Sequence, residues 1–215
     1  MFIIDFDDTL FDTHALKLAR RDALHELGVE EELFWRTYSE ARNGAAGIFT
    51  YTNERHADVL AQHGVERESA LQALIKTTSR EQLSTFLFSD TISGLEALRA
   101  FHEPMILLSL GDKKFQELKV TGTGVGEFFD QMYMVHDTKA HVIGEILKEH
   151  PEEKIWFIND KIDETKMLSE KFPRLKPVVR PSRSVSTAAC ASCGFPCFST
   201  LTDIVSYVEF TKIHN

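Results

Sequence analysis

The chain has 215 residues, 43% hydrophobic and 27% charged, a balance that excludes a disordered polymer and allows one large domain or a core with an insertion. Lys and Arg number 24 against 33 Asp and Glu, and the net charge of −9 argues against broad nucleic-acid or anionic-membrane binding. Apolar runs such as MILLSL and IWFI fall well short of the about 20 residues a membrane-spanning helix needs.

Phe2, Ile3 and Ile4 form an apolar run without alternation, as a strand buried on both faces requires, and it ends in the acids Asp5, Asp7 and Asp8. From Thr13 to about Phe88 the texture is helical. Leu16, Ala19, Ala23 and Leu27 keep helical spacing up to a stop at Gly28. Leu33, Phe34, Thr37, Tyr38 and Ala41 repeat it up to Asn43-Gly44, and further helices are predicted over 53–63 and 66–88. After Asp90 helices and strands alternate: helices over 94–101, 113–119, 139–150, 163–172 and 200–213, strands over 105–109, 131–135, 155–158 and 177–180. That order predicts an α/β protein, with a Rossmann-like parallel sheet in a three-layer α/β/α core. Residues 1–12 and 90–215 form the expected core, and 13–89 an inserted α-helical domain.

Open parallel sheets bind ligands beyond the carboxyl ends of their strands. Those positions hold Asp5-Phe6-Asp7-Asp8-Thr9, then Ser109-Leu110-Gly111, Thr138-Lys139, and Asn159-Asp160 followed by Asp163 and Glu164. Clustered carboxylates suit a hard divalent cation such as Mg2+, which takes oxygen ligands and substrate phosphate. A hydroxyl, a lysine and loop N–H groups can cradle phosphate oxygens. A carboxylate can attack phosphorus, and a second one two residues later can act as acid and then base. Taken singly, Ser109 reads as a helix cap and Lys139 as a solvated lysine. Position and company give them their weight.

The segment IIDFDDTL resembles the first motif of the haloacid dehalogenase superfamily, Asp-x-Asp-x-Thr after an apolar strand. LLSLG is similar to the second motif, Lys139 to the third, and FINDKIDE to the fourth, all in the right order. The resemblance implies Asp5 as nucleophile and Mg2+ ligand, and Asp7 as general acid-base with its backbone carbonyl on the metal. It implies Thr9 as the residue that orients the loop around the substrate, Ser109 and Lys139 as phosphoryl ligands, and Asp160 as the second metal carboxylate. Glu164 would hold metal-bound water, with Asp163 as its competitor. Asp8 departs from the pattern where glycine is frequent, and Asn159 where a glycine or acid is usual. The helical insertion resembles the cap many members carry there. Its candidates for substrate binding are Arg42 and Asn43 in the ARNGAAG loop, where an arginine can meet a second anionic group.

The implied activity is a Mg2+-dependent phosphatase that hydrolyses a small phosphorylated metabolite through an aspartyl-phosphate. A phosphomutase shares the chemistry up to that intermediate and stays open, as does a catalytically silent binding protein of the same fold. Dehalogenation would leave Asp7 without purpose, and phosphonate cleavage would want a cap lysine where only Lys17 precedes Glu66. A response-regulator receiver would need a strand before Asp58, which lies in a helical pattern. Gly122, Gly124 and Gly126 read as a helix-to-strand connection and not a dinucleotide loop. Cys190, Cys193 and Cys197 lack a fourth ligand for zinc. With no secretory leader legible and no disulfide framework, they are expected to be reduced structural thiols in a cytoplasmic protein.

Overall fold

The computed structural model describes residues 1–44 and 47–214. Five strands form one parallel sheet: β1 (Phe2–Ile4), β2 (Met105–Leu110), β3 (Gln131–Val135), β4 (Ile155–Asn159) and β5 (Leu175–Val179), in the spatial order β3-β2-β1-β4-β5. The central strand β1 is short, and its three residues are wholly buried because helices cover both faces. Ile4 is level with Leu107 of β2 and Ile158 of β4, so Asp5 emerges where the carboxyl ends of three strands meet.

Between β1 and β2 lie α1 (Thr13–His25), α2 (Glu31–Arg42), α3 (Asn53–Gln62), α4 (Arg67–Lys76), α5 (Arg80–Thr85) and α6 (Thr91–Arg99). The remaining helices are α7 (Lys113–Thr123), α8 (Ala140–Glu149), α9 (Ile162–Lys171), α10 (Thr187–Ser192) and α11 (Leu201–His214). Two apolar clusters sandwich the sheet, and a third, built on Leu24, Val29, Phe34, Leu60 and Leu74, belongs to the helical cap. Leu16 of α1 and Leu83 of α5 pack into the sheet's cluster, so both ends of the helical segment are rooted in the core.

The single helix expected over 66–88 is two. Thr77 and Thr78 turn their hydroxyls back onto the carbonyls of Leu74 and Ile75, and Ser79 caps the next helix by accepting the Gln82 N–H. Local side-chain bonding of this kind competes with helix continuation. The buried stripe of α1 is also different from the expected one: it runs Leu16, Arg20, Leu24, while Leu27 is exposed. The cysteines need a correction too. Cys190 and Cys197 are paired as a disulfide with Cα atoms 6.0 Å apart, and Cys193 alone is free. The reversal after the short α10, with Gly194 at φ +79°, brings Cys197 back beside it. Among the described residues no helix is long and apolar enough to cross a membrane.

The loop after β1 is held from the far side of the sheet. Arg180, just past β5, donates to the Thr9 carbonyl (2.9 Å) and to Asp90 (2.8 Å), and Arg183 donates to Asp12 (2.7 Å). Asp12 also caps α1 through the Ala15 N–H (2.9 Å). Asp8 has φ 58°, the left-handed region that suits glycine and that Asp tolerates better than most residues.

Candidate active site

A cavity of about 200 Å3 lies between the carboxyl ends of the strands and the cap. Asp5, Asp7, Asp8 and Asp160 line it from the core, and Arg20, Tyr38, Arg42, Phe49 and Tyr51 from the cap. Of the residues singled out in the sequence, Asp5, Asp7, Asp160 and Arg42 therefore share one chamber.

Asp5 is almost wholly buried, with its N–H on the Ile158 carbonyl (2.9 Å). Its Oδ1 accepts from Lys139 Nζ at 2.7 Å, and its Oδ2 lies 3.4 Å from the Thr9 hydroxyl. Burial pushes the Asp5 carboxyl up, against the pull of the Lys139 ammonium. Lys139, itself buried, also donates to Asn159 Oδ1 (2.9 Å) and Glu164 Oε2 (3.0 Å). Burial disfavours its charge, but Asp5 and Glu164 outweigh that and hold its pKa above the ordinary lysine value. Asn159 completes the frame by donating to Glu164 (3.1 Å) and Thr165 (3.1 Å).

Glu164, not the exposed Asp163, therefore faces the site, and its partner is Lys139. Thr9 stands behind Asp5 and Asn43 bonds Ser39 and Arg42, both away from the cavity lining. Lys139 and Ser109 are buried and are not among the residues that line the cavity, and the Ser109 Oγ has no partner. The middle of the ARNGAAG loop, Ala45 and Ala46, is outside the described residues.

Asp7 has partners that the sequence did not reveal. Its Oδ1 accepts from the Thr13 hydroxyl (2.7 Å) and from the Lys119 ammonium, and its Oδ2 from Gln116 Nε2 (2.7 Å). Burial alone would raise its pKa, but Lys119 and these donors overcome that and hold it at about 2. Lys119 is the seventh of the eleven residues of α7, where a lysine in sequence reads as solvated. It is buried because α7 lays it across the Phe6, Phe11 and Phe115 rings.

Asp160 fits a divalent cation. Its Oδ1 is buried without a partner, and its carboxyl is pushed up to about 8 by burial and by the charge of Asp5 beside it. A cation shared by Asp5 and Asp160 would relieve both penalties. No group of three or more His, Cys, Asp or Glu side chains converges among the described residues. Mg2+ does not need one, since it is commonly held by one or two carboxylates with waters and phosphate.

On the cap side a one-way hydrogen-bond chain runs inward. The Thr37 hydroxyl donates to the Leu33 carbonyl (2.8 Å), which leaves its oxygen to accept from His56 Nε2 (3.1 Å). His56 Nδ1 then accepts from the Tyr51 hydroxyl (2.8 Å), whose oxygen accepts from Arg20 Nη1. Burial and the Arg20 charge drive the His56 pKa down to about 3, so His56 is neutral and this tautomer is fixed.

No protein-family model matches the sequence, and no curated protein matches it significantly. Solved structures do match. A haloacid dehalogenase-like hydrolase from Burkholderia xenovorans is 18% identical with a TM-score of 0.73, covering 95% of this chain and 94% of that one. A protein of Thermotoga maritima assigned as a beta-phosphoglucomutase is 15% identical with a TM-score of 0.65, covering 97% of each chain. One of Haemophilus somnus assigned as a phosphoglycolate phosphatase is 16% identical with a TM-score of 0.63, again covering 97% of each. Dehalogenases are among the further matches. Over nearly its whole length, this chain has the fold of the haloacid dehalogenase-like hydrolases, cap included.

Proposed function

We propose that this chain, which folds as the haloacid dehalogenase-like hydrolases do, is a Mg2+-dependent phosphatase acting on a small phosphorylated metabolite through an aspartyl-phosphate on Asp5. The observation that carries this reading is Lys139 Nζ, 2.7 Å from Asp5 Oδ1, beside an Asp160 oxygen that has no partner. Similarity of fold by itself leaves the chemistry open. The carboxylates, ammonium and free hydroxyl gathered at the strand ends are what favour phosphoryl transfer.

Asp5 attacks phosphorus in line with the ester oxygen. The unpartnered Ser109 hydroxyl donates to a phosphoryl oxygen, and the Lys139 ammonium does so by exchanging one of its three present acceptors, Asp5, Asn159 or Glu164, for it. A bound Mg2+, held by Asp5, Asp160 and the Asp7 backbone carbonyl, would supply charge neutralisation of the phosphoryl group. Thr9 and Glu164 act through others: one steadies Asp5, the other fixes Lys139. Asp7, ionised, is ready to accept the proton of the attacking water in the second step. The proton for the departing alcohol in the first step belongs to the Asp7–Lys119 pair, whose ammonium carries it at rest. Ionised Asp7 also explains why an ester with a good leaving group is the substrate to try first.

The test is phosphate release from an aryl phosphate with Mg2+ and with EDTA, for wild type and Asp5→Asn. Mg2+-dependent turnover that falls at least 10³-fold in the folded variant is expected, as for loss of a nucleophile. Turnover of that size surviving in Asp5→Asn would overturn the reading. Phosphate transfer that needs a bisphosphate activator, with no net release, would move the assignment to a mutase.

A further inference from the structure

Buried cations in this protein come with carboxylates: Lys119 with Asp7, Lys139 with Asp5 and Glu164, Arg180 with Asp90. Arg20 is different. It is 1% exposed, it lines the cavity from the cap side, and it forms no ion pair among the described residues. Its Nη1 rests on the Tyr51 hydroxyl and its Nη2 on Asn53 Oδ1 (2.7 Å), both neutral acceptors, while its buried Nε has no partner. Its faces lie over the Phe115 and Tyr51 rings, 4.9 and 5.1 Å from their centres.

We infer that Arg20 is a specificity-determining residue that receives a carboxylate of the substrate, so that the substrate class is a small phosphorylated hydroxy acid. The inference rests on the phosphatase reading above and names the substrate class for it. A guanidinium held out of water without an anion is unfavourable, and a ligand anion removes that penalty. A planar carboxylate matches the edge a guanidinium presents. Asp5, Lys139 and Ser109 take the phosphoryl end on the core side, so the second anion faces the cap. The cavity of about 200 Å3 suits an ester of a few carbons. Arg42 also lines this cavity, but its guanidinium lies on Phe49 at 4.1 Å, is only half-buried and keeps contact with water. The attraction at Arg20 is the stronger because its guanidinium is enclosed, in surroundings of lower dielectric than the half-buried Arg42 has.

The experiment compares 3-phosphoglycerate with glycerol 3-phosphate, which carries a hydroxymethyl group where the former has a carboxylate. Both are titrated calorimetrically in Mg2+ into Asp5→Asn protein, with Arg20 intact, changed to Gln, or changed to Lys. Hydrolysis of both is followed in the corresponding proteins that keep Asp5. With Arg20 present the acid should bind roughly 10- to 100-fold tighter, the range of a charged hydrogen bond. Arg20→Gln should bring the two within threefold by weakening the acid alone, and Arg20→Lys should keep part of the contrast. If Arg20→Gln fails to fold, Arg20→Lys decides the matter: a reduced contrast supports the inference and an undiminished one overturns it. Equal binding of both esters with Arg20 intact, or an undiminished contrast in Arg20→Gln, overturns the inference. Selective binding without hydrolysis of either ester would overturn the phosphatase reading while supporting the role of Arg20.

Discussion

His56 shows how one buried side chain sets the character of its surroundings. It accepts from Tyr51 and donates to Thr37, and it does both only as the neutral ring. Its pKa is about 3 in the folded chain against about 6.5 when unfolded. Below pH 6.5 the unfolded chain takes up a proton that the folded one refuses, so its stabilisation is complete above 6.5 and is lost as the pH falls towards 3. Urea unfolding of wild type and His56→Gln between pH 4.5 and 7.5, in Mg2+, should show the advantage of wild type shrinking on acidification. The slope should approach about 1.4 kcal/mol per pH unit. A gap that stays constant with pH would contradict a neutral, buried His56. Arg20 and Lys119 are harder to read at this scale, because each is a cation in an element whose apolar pattern is complete without it.

At the scale of elements, close approach replaces side-chain chemistry. Gly94 lies within α6 where a Cβ would come 2.6 Å from Leu201 Cγ and Cδ2 of α11, so glycine lets the two helices touch. Gly144 of α8 is also helical, yet a Cβ there would meet only the Phe172 ring at an ordinary 3.6 Å. Gly94→Val should destabilise by about 1–3 kcal/mol through overpacking. Gly144→Ala should stabilise by roughly 0.5–1 kcal/mol through reduced backbone freedom. Denaturant midpoints measure both, and a shift of the same sign in each would contradict the packing argument. Every strand was legible within two residues of its bounds, since unbroken apolar runs such as Phe2–Ile4 and Ile155–Ile158 signal burial on both faces. The break between α4 and α5 was not, because Thr77 and Thr78 end a helix through hydrogen bonds that a hydrophobic pattern does not register.

Over the whole molecule, the core presents Asp5, Asp7, Asp8 and Asp160 together with Lys119 and Lys161 to the chamber, and the charged groups the cap adds, Lys17, Arg20 and Arg42, are all cations. Asp5 and Asp160 repel across the ends of β1 and β4, a tension left in the fold for a cation to relieve. Mg2+ at 100 times its Kd should therefore add about 2.7 kcal/mol of stability. Asp160→Asn should abolish most of that gain, as thermal unfolding with and without Mg2+ will show. A full Mg2+ gain retained in Asp160→Asn would place the cation elsewhere. The cap has an apolar centre of its own and is rooted in the core by Leu16 and Leu83, while over the cavity it meets the core through Tyr51 on Phe115, with ring centres 5.1 Å apart, and through the Phe49 N–H on the His136 carbonyl (3.0 Å).

By itself the sequence determined the parallel α/β core, the inserted helices and the acids at the strand ends, because these follow from local apolar spacing and from where each run stops. It also singled out Asp5, Lys139 and Asp160, which the fold brings together at the strand ends. Only the tertiary structure decided that Lys119 grips Asp7 across 112 residues, that Glu164 serves Lys139, and that Cys190 meets Cys197. It alone put Arg20, not Leu27, into the buried stripe of α1. The physical reason is common to all four. Whether a charged or thiol side chain is solvated or enclosed depends on what distant elements pack against it, and helical or strand periodicity carries no record of that.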